Sequence, residues 1–392
     1  MMSIRDLSQK NERRLTGCAA CVVRLLLVTA NLFPCFGLVL WGQTSPSPPS
    51  DADQSWTVTR ESHIENELPI RTLETHVRNG SRTLDKQSLQ RLGSDGHFEE
   101  YQNIEKETLQ VNSTTVQTIT RIFGRDGGGA KALLLTREEE TQMLPDGSRT
   151  VRVESAPDSD GRPHLTRREI TETKKINAGM EVTKATVMLP STSGDLAPAM
   201  QIEERRHHTG NKTEFKETIQ LLDGGREWQV NEVRQGTITQ EDNGRSTEER
   251  VYRLDYEGKL SEFSRIVSTE SESPAGEKQN TVNIYSVDML GVPRDGTLHL
   301  VERVTSTEAT APSGQQTAVQ KLEEPNPGDP AAGLRVTALI SDKVSSGPSG
   351  AQATGTVRVR NGSGKFEVMS VDTAKSDNIH AIQVKMRPSG KP

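Results

Sequence analysis

Apolar and polar residues alternate with a period of two over most of the chain beyond residue 55. Tyr252, Leu254 and Tyr256, for example, share one face of an extended segment, whereas the residues between them point to the other face. This period is typical of β-strands, because successive side chains of a strand point to opposite sides. An amphipathic helix would repeat every 3.6 residues or so. The pattern therefore predicts strands along most of the chain.

Turn signals interrupt these alternating segments at intervals of roughly 14 to 20 residues, which leaves room for one or two short strands between turns. Each signal places glycine beside or near aspartate, asparagine or proline. Glycine, asparagine and aspartate tolerate the positive φ that tight hairpin turns require. Examples are Asp95-Gly96, Asp146-Gly147, Asp160-Gly161, Asp223-Gly224 and Asn243-Gly244. We therefore predict an all-β fold, an elongated meander of repeated antiparallel hairpins.

The strand faces are only weakly apolar, since arginine, glutamate and threonine often replace the expected aliphatic residue. The chain is 32% hydrophobic and 4% aromatic, whereas an ordinary globular domain is roughly 45–50% apolar. We predict a thin, largely single-layer sheet, solvated on much of both faces and supported by cross-strand Glu–Arg and Thr–Thr pairs. The alternative is a disordered, charged chain.

An apolar run at residues 25–41 follows Arg13, Arg14 and Arg24 and precedes a Pro/Ser-rich stretch. A positive flank, a short apolar run and a turn-rich boundary are the layout of a secretory signal. We therefore expect export to the periplasm, the cell surface or the extracellular space. The alternative is an uncleaved membrane anchor, because residues 25–41 just reach the lower length limit of a spanning helix.

The three cysteines, Cys18, Cys21 and Cys35, all lie in this N-terminal segment. If the segment is cleaved, the mature chain has no thiol. Disulfides, thiolate catalysis and cysteine-bound metals are then excluded together.

Composition changes divide the chain into five predicted segments. Three prolines between residues 323 and 333 predict a break in the strands, because proline cannot donate to a strand ladder. The segments are a signal peptide or membrane anchor (1–42), a Pro/Ser-rich linker (43–55), a repeated β-hairpin region (56–322), a Pro/Gly-rich break (323–333) and a C-terminal β unit (334–392).

The formal net charge is −6, from 48 basic and 54 acidic residues. Nonspecific nucleic-acid binding needs a basic face, so we expect no nucleic-acid partner. We expect contact with a membrane only through the N-terminal segment, if it is uncleaved.

No motif in the sequence predicts a catalytic, cofactor or metal site. His207 and His208 are the only histidine cluster, and neighbours on a strand point to opposite faces and cannot bind one ion together. The glycine-rich segment 124–131 lacks the Gly-Lys-Ser/Thr ending of a phosphate loop. Asp158 and Asp160 lack the flanking ligands of a calcium loop.

The sequence thus predicts a non-enzymatic exported envelope or surface protein that acts as a structural spacer or adhesive β-repeat scaffold. Its expected partners are envelope components, or further copies of the chain paired through sheet edges. The alternative is a β-sheet carrier or binding module for a lipid or glycan, with a groove lined by Trp228, Tyr252, Leu254 and Phe263. A third hypothesis is an enzyme with a carboxylate site.

Overall fold

The computed structural model describes residues 54–223, 227–255, 257–289, 296–378 and 381–382. The predicted signal or anchor segment, most of the linker and Tyr256 lie outside the described residues. Twenty β-strands make up the regular structure of the described part, and each is antiparallel to its neighbours. No helix in this part is long and apolar enough to cross a membrane.

The strands follow one another in a simple up-and-down order. They are β1 (Gln54–Ile64), β2 (Ile70–Asn79), β3 (Arg82–Leu92), β4 (Phe98–Asn112), β5 (Thr115–Arg125), β6 (Lys131–Leu144), β7 (Gly147–Pro157), β8 (Pro163–Asn177), β9 (Met180–Pro190), β10 (Leu196–Thr209), β11 (Lys212–Leu222), β12 (Trp228–Glu241), β13 (Gly244–Leu254), β14 (Leu260–Glu272), β15 (Lys278–Ser286), β16 (His299–Thr310), β17 (Gln316–Asn326), β18 (Asp329–Gly347), β19 (Gly350–Arg360) and β20 (Phe366–Ser376).

The first and last strands pair with each other, so the sheet closes into a barrel of 20 strands. On β1, Val58 lies opposite Glu74 of β2 on one side and Ser376 of β20 on the other. The prediction of an all-β antiparallel meander is confirmed. The prediction of an open, elongated single-layer sheet is wrong. An open sheet would have two edge strands with unpaired backbone groups, whereas each of the described strands has a partner strand on both sides.

Two kinds of connection alternate along the barrel and place their turns at opposite ends. From β3 to β14, strands of 11 residues alternate with strands of 13–15 residues. The odd strands from β3 to β13 begin 32 or 33 residues apart. We call the end with the β2–β3, β4–β5 and β6–β7 turns the turn end, and the opposite end the loop end.

Most five-residue connections at the loop end have the same side-chain hydrogen bonds, as two of them illustrate. The Oδ1 atom of Asp126 accepts hydrogen bonds from the backbone N–H groups of Gly128 and Ala130, both at 2.9 Å. Asp158 accepts equivalent bonds from Asp160 and Arg162. The glycine three positions after each aspartate has a positive φ, 83° at Gly129 and 77° at Gly161. Here the predicted Asp/Gly turns are confirmed.

A β-bulge recurs near the loop end in nine of the strand pairs. Examples are the register shifts at Leu89/Gln90, Ile122/Phe123 and Glu154/Ser155. A bulge bends its strand and increases the local twist. Repetition of the bulge at one height gives the sheet the curvature that closure requires.

The two faces of the barrel differ in exposure. Val58, Val187 and Val304 are at most 4% exposed and lie in register rows of one face. Val319 and Val368 of the other face are 46% and 45% exposed. Inner side chains of a closed sheet converge whereas outer ones diverge, so the buried rows form the inner face. Among the buried hydrophobic strand residues, only Val233 lies on the outer face.

Two apolar clusters lie on the inner face. One joins Ile382, just beyond the last strand, to Val58, Val344, Ala351 and Ala374 on β1, β18, β19 and β20. The other joins Val282 and Ile284 of β15 to Val304 of β16. The first cluster packs where the first and last strands, β1 and β20, pair with each other.

Strands β17 and β18 run through the segment 323–333, where we predicted a break. Pro325 lies opposite Leu334, with register shifts between Leu322 and Glu323 and between Pro325 and Asn326. Proline is tolerated at such irregularities because no ladder hydrogen bond depends on its missing N–H group. Strands β18 to β20 then continue the same barrel.

Replacing Val58 by alanine should lower the free energy of unfolding by about 1–3 kcal/mol, because the lost methyl groups leave a cavity at the seam. The matched control is Val319→Ala on the exposed outer face, which should cost less than about 0.5 kcal/mol. Urea denaturation of both variants measures the difference. Equal losses would contradict the closure of the barrel at β1.

Candidate functional site: the inner face of the barrel

Arginine and glutamate alternate on the inner face over the arc from β6 to β13. They occupy register rows in which residues directly opposite each other share a face. The residues of this charged arc are Arg137, Glu139, Arg152, Glu154, Arg167, Glu169, Glu204, Arg206, Glu217, Glu232, Arg234, Glu249 and Arg253.

Two buried carboxylates organise the charged arc. Glu169 on β8 is 5% exposed and lies 2.7 Å from Arg167 and 3.8 Å from Arg152. Glu232 on β12 is also 5% exposed, and its partners are Arg234 and Arg253. Each of the two carboxylates therefore has two guanidinium groups as partners.

The pair on β12 and β13 has the tightest geometry. Arg234 and Arg253 donate hydrogen bonds from Nε to the two carboxylate oxygens of Glu232, at 2.6 and 2.7 Å. Arg234 also lies 3.7 Å from Glu217 and 3.8 Å from Glu249. These ion pairs run across three strands, β11, β12 and β13, and hold the side chains of these strands against one another.

The pKa values of this cluster follow from its hydrogen bonds. Burial acts to raise the pKa of Glu232, but the hydrogen bonds from Arg253 and Arg234 outweigh burial and lower it. Burial likewise acts to lower the pKa of Arg234, and the bond to Glu232 outweighs this and raises it. Both groups stay charged near neutral pH, so the arc carries fixed charges of both signs.

Threonine pairs add uncharged hydrogen bonds to the inner face. The hydroxyl groups of Thr141 and Thr150 lie 3.0 Å apart, and those of Thr173 and Thr183 also 3.0 Å apart. The predicted cross-strand Glu–Arg and Thr–Thr pairs are confirmed at these positions. Such pairs contribute about 0.2–1 kcal/mol each.

From β14 to β20 the inner face is lined mostly by small or aliphatic side chains. Ser264, Ser306 and Ser370 are 2–3% exposed, and Ala318 and Ala351 are 6% and 1% exposed. We call this region the neutral arc. The inner lining is therefore asymmetric, with charges on one side and small side chains on the other.

Carboxylates interrupt the neutral arc at Glu302 on β16, Asp342 on β18 and Asp372 on β20. Glu302 lies opposite Ile284, and the nearby carboxylate is Glu324 on β17. Burial, together with the negative charge of Glu324, raises the pKa of Glu302 to about 7. This carboxyl group therefore changes its charge near neutral pH.

The outer face is charged along the length of its strands. Outer ion pairs include Arg71–Glu61 at 2.7 Å, Lys184–Glu203 at 3.1 Å and Arg265–Glu262 at 2.9 Å. Outer apolar side chains, such as Val319, are scattered among these pairs. The outer face therefore has no continuous apolar band on the described strands.

The four predicted groove residues do not share one environment. Trp228 begins β12 opposite Leu222, and Tyr252 accepts a hydrogen bond from Gln235 at 3.2 Å, both on the outer face. Leu254 is 44% exposed at the end of β13. Phe263 lies at a bulge of β14, with the guanidinium of Arg253 4.3 Å from its ring centroid. Their common role in binding stays a prediction.

The two histidines and the glycine-rich segment are integrated into the sheet. His207 lies opposite Glu214, and His208 lies opposite Thr213, on opposite faces of β10. The segment 124–131 forms the β5–β6 loop closed by Asp126. Within the described residues, no three His, Cys, Asp or Glu side chains come together in a way that would hold a metal ion.

Sequence reasoning missed the charged arc. Its signal is a charge of opposite sign two residues along one strand, as in Arg152-x-Glu154, Arg167-x-Glu169 and Glu232-x-Arg234. Such pairs share a face, because strand side chains repeat every two residues. The sequence does not reveal which strands bring these pairs together.

Comparison with known proteins gives only distant likenesses. No family model and no curated protein matches the chain. Among solved structures, it is similar to the FrpB iron transporter from Neisseria meningitidis, with 8% identity over 83% of this chain and 82% of that chain and a TM-score of 0.43. It is also similar to the copper transporter OprC, with 8% identity, coverage of 83% and 80% and a TM-score of 0.41. A third is OpdL of Pseudomonas aeruginosa, with 9% identity, coverage of 83% and 98% and a TM-score of 0.42. TM-scores this low carry no argument about function.

The predicted function as an elongated spacer, adhesive stalk or scaffold is wrong. That prediction required an extended sheet with free edges, whereas the described strands close into a barrel through the β1–β20 pairing.

Replacing Glu232 by glutamine should lower the free energy of unfolding by about 1–3 kcal/mol, because two guanidinium groups lose their buried carboxylate partner. Glu172→Gln is the matched control, because Glu172 pairs with Arg149 on the outer face and its side chain is 46% exposed. The control should cost less than about 1 kcal/mol. Chemical denaturation at pH 7 measures both values. Equal losses would show that the inner ion pair contributes no more to the free energy of unfolding than the outer one.

Glu302 should make stability depend on pH. The pKa of Glu302 is raised in the folded protein. Its contribution to the free energy of unfolding is therefore fully present below the unfolded pKa and is lost as pH rises through about 7. Glu302→Gln should therefore match the wild type at pH 4, below the unfolded pKa, and be more stable by about 1–3 kcal/mol at pH 8. The control is Glu323→Gln, opposite Arg303 on the outer face. Urea denaturation at both pH values tests this, and an unchanged gap between wild type and Glu302→Gln would refute it.

Proposed function

We propose that this protein is a transport channel, an exported tube in the cell envelope through which small hydrophilic solutes pass. The observation that carries the proposal is the closed ring of twenty strands with charged and hydroxyl side chains on its inner face. A closed ring provides a passage that no open sheet provides.

The strand number supports a passage of useful width. Strands spaced about 4.8 Å apart and tilted by about 40° give a 20-stranded barrel a backbone diameter of about 40 Å. Inner side chains reduce the clear width to about 25 Å, by allowing roughly 7 Å on each side. Barrels of 16 to 18 strands already leave room for an aqueous channel.

The inner lining suits polar solutes. In the charged arc, Arg234 and Arg253 hold Glu232 by hydrogen bonds, so the charges stay in place as a solute passes. Because charges of both signs alternate, the field in the lumen has no dominant sign. The lining therefore favours hydrophilic solutes in general over ions of one charge.

The outer face of the barrel is better suited to contact with water than to contact with lipid. Lipid-embedded barrels face apolar side chains outward and polar ones inward. Here the buried apolar clusters lie on the inner face, and the outer face holds ion pairs such as Lys184–Glu203. An outward charge at the middle of a bilayer costs about 2–4 kcal/mol. We therefore propose a tube that crosses an aqueous compartment, with any membrane contact made by the N-terminal segment.

Thiol labelling of the full chain, with its three cysteines changed to serine, tests the passage. Thr120→Cys places a thiol on the inner face at mid-height of β5, and Thr136→Cys is the matched outer control on β6. Small maleimides should label both thiols at rates within about threefold, because each reaches water. Maleimides on polymers wider than about 25 Å should label only the outer thiol.

The result separates a passage from a filled barrel. An inner thiol that resists the small reagent in the folded protein would overturn the proposed channel. Inner and outer thiols that react equally with the widest reagent would also overturn it, because the barrel would then be open.

A further inference from the structure

The chain turns back into the barrel after its last strand. Strand β20 ends at Ser376 at the turn end, where the Oγ atom of Ser376 donates a hydrogen bond to the carbonyl oxygen of Thr57 at 2.7 Å. Asp377 then accepts a hydrogen bond from the backbone N–H group of Thr57 at 2.9 Å. Ile382 is buried in the inner apolar cluster at the β1–β20 pairing. The described part of the chain therefore ends inside the barrel.

Short side chains make the inner wall next to Ile382 a shallow trough, which we call the β19 trough. Its floor includes Ala353 and Gly355 on β19 and Ala374 on β20, which share one face. Arg60 on β1, directly opposite Ala374, has a longer inner side chain and flanks the floor. The floor spans β18 to β20, a width of about 10 Å. One extended segment of chain fits this width.

Two carboxylates lie on opposite sides of the β19 trough. Asp342 on β18 and Asp372 on β20 are both directly opposite Gly355. Gly355 has no side chain, and a Cβ atom there would collide with the Oδ1 atom of Asp342. This row lies two residues, or about 7 Å, along β20 from Ala374. The trough therefore carries negative charge on both sides of its floor.

A buried hydroxyl group lies farther along the same trough. Ser370 is 2% exposed and lies two residues beyond Asp372 on the inner face of β20. Its Oγ atom has no hydrogen-bond partner among the described residues. Leaving a buried hydroxyl group unpaired is unfavourable. This atom therefore indicates a polar partner that the described residues do not supply.

The sequence that follows Ile382 complements the β19 trough. The next five residues read Gln-Val-Lys-Met-Arg, with two cations and no acidic residue. In an extended segment Val384 and Met386 share the face of Ile382, and Lys385 and Arg387 share the other face. Three residues span up to about 10 Å, so Lys385 can reach the carboxylate row from the position of Ile382.

We propose that residues 383–387 bind in the β19 trough, with Lys385 and Arg387 paired with Asp342 and Asp372. The apolar side chains of this segment pack on the short side chains of the floor, and the long cationic side chains bend to the carboxylates on either side. The backbone of the segment supplies a hydrogen-bond partner for the buried hydroxyl group.

The bound segment covers part of the neutral arc and leaves the charged arc as the open side of the lumen. Its binding depends on the closed barrel and on the charges of the trough. It does not depend on whether solutes pass, so it can hold or fail separately from the proposed channel.

Carbodiimide cross-linking of the natural full chain tests the binding. The reagent activates a carboxylate, and a lysine amine in contact with it displaces the reagent as a urea and forms an amide bond. We expect mass spectrometry of the digested protein to find Lys385 joined to Asp342 or Asp372. The positive control is the outer ion pair of Lys184 with Glu203, whose Nζ and Oε2 atoms are 3.1 Å apart.

The negative control is Lys343, which follows Asp342 on β18 and lies opposite Thr317 on the outer face. It should not be joined to either trough carboxylate. The proposal is overturned if the control pair forms while Lys385 is joined to neither trough carboxylate. Cross-links of Lys385 mainly to carboxylates outside the trough, or to a second copy of the chain, would overturn it too.

A chain that ends at Ile382 gives a second readout, with the natural cysteines changed to serine. Val357→Cys places a thiol on the trough floor, opposite Ser370. It should react with a small maleimide about tenfold faster in the shortened chain, because removal of the segment uncovers it. Thr120→Cys on the inner face of β5 is the matched control and should react at the same rate in both chains. Equal rates for Val357→Cys in the two chains would overturn the binding, whereas a resistant Thr120→Cys would overturn only the channel.

Discussion

The hydrogen-bond ladder between β1 and β20 is the constraint on which the rest of the barrel depends. Few side chains in the described strands are fully buried, and the two apolar clusters are small. The continuous backbone ladder therefore carries much of the cohesion, and a ladder has no loose end only when it closes. Val58 packs at this seam beneath Ile382, so burial and closure coincide there.

Closure also decides what the polar residues do. A strand with arginine and glutamate on both faces would be solvated on both sides in an open sheet. In the barrel, Glu232 becomes an inner carboxylate held by Arg234 and Arg253, whereas Glu203 stays on the outer wall with Lys184 and Arg205. Arginine and glutamate thus form a hydrogen-bonded lining on the inner face, and on the outer face they form ion pairs in contact with water.

Local parts of the fold could be predicted from the sequence, and non-local parts could not. The Asp126 and Asp158 loops follow from short motifs, because their hydrogen bonds span only four residues. The partnership of Thr59 with Lys375 spans more than three hundred residues and depends on small rotations summed over twenty strands, so no local pattern predicts it. Predicting the charged arc would have required the register between neighbouring strands as well as the alternation of side chains within each strand. The predicted groove residues rested on apolar character alone, which does not say on which side of a bulge Phe263 lies.

The distance between β1 and β20 is the most direct test of the account. Spin labels at Thr59→Cys and Lys375→Cys, in a full chain whose natural cysteines are serine, would sit on directly opposite residues of the outer face. The account predicts a spin–spin distance below about 20 Å, because paired strands lie about 5 Å apart. An open sheet of twenty strands would separate the labels by up to about 90 Å. A distance in that longer range would contradict the closed barrel, and with it the proposed channel.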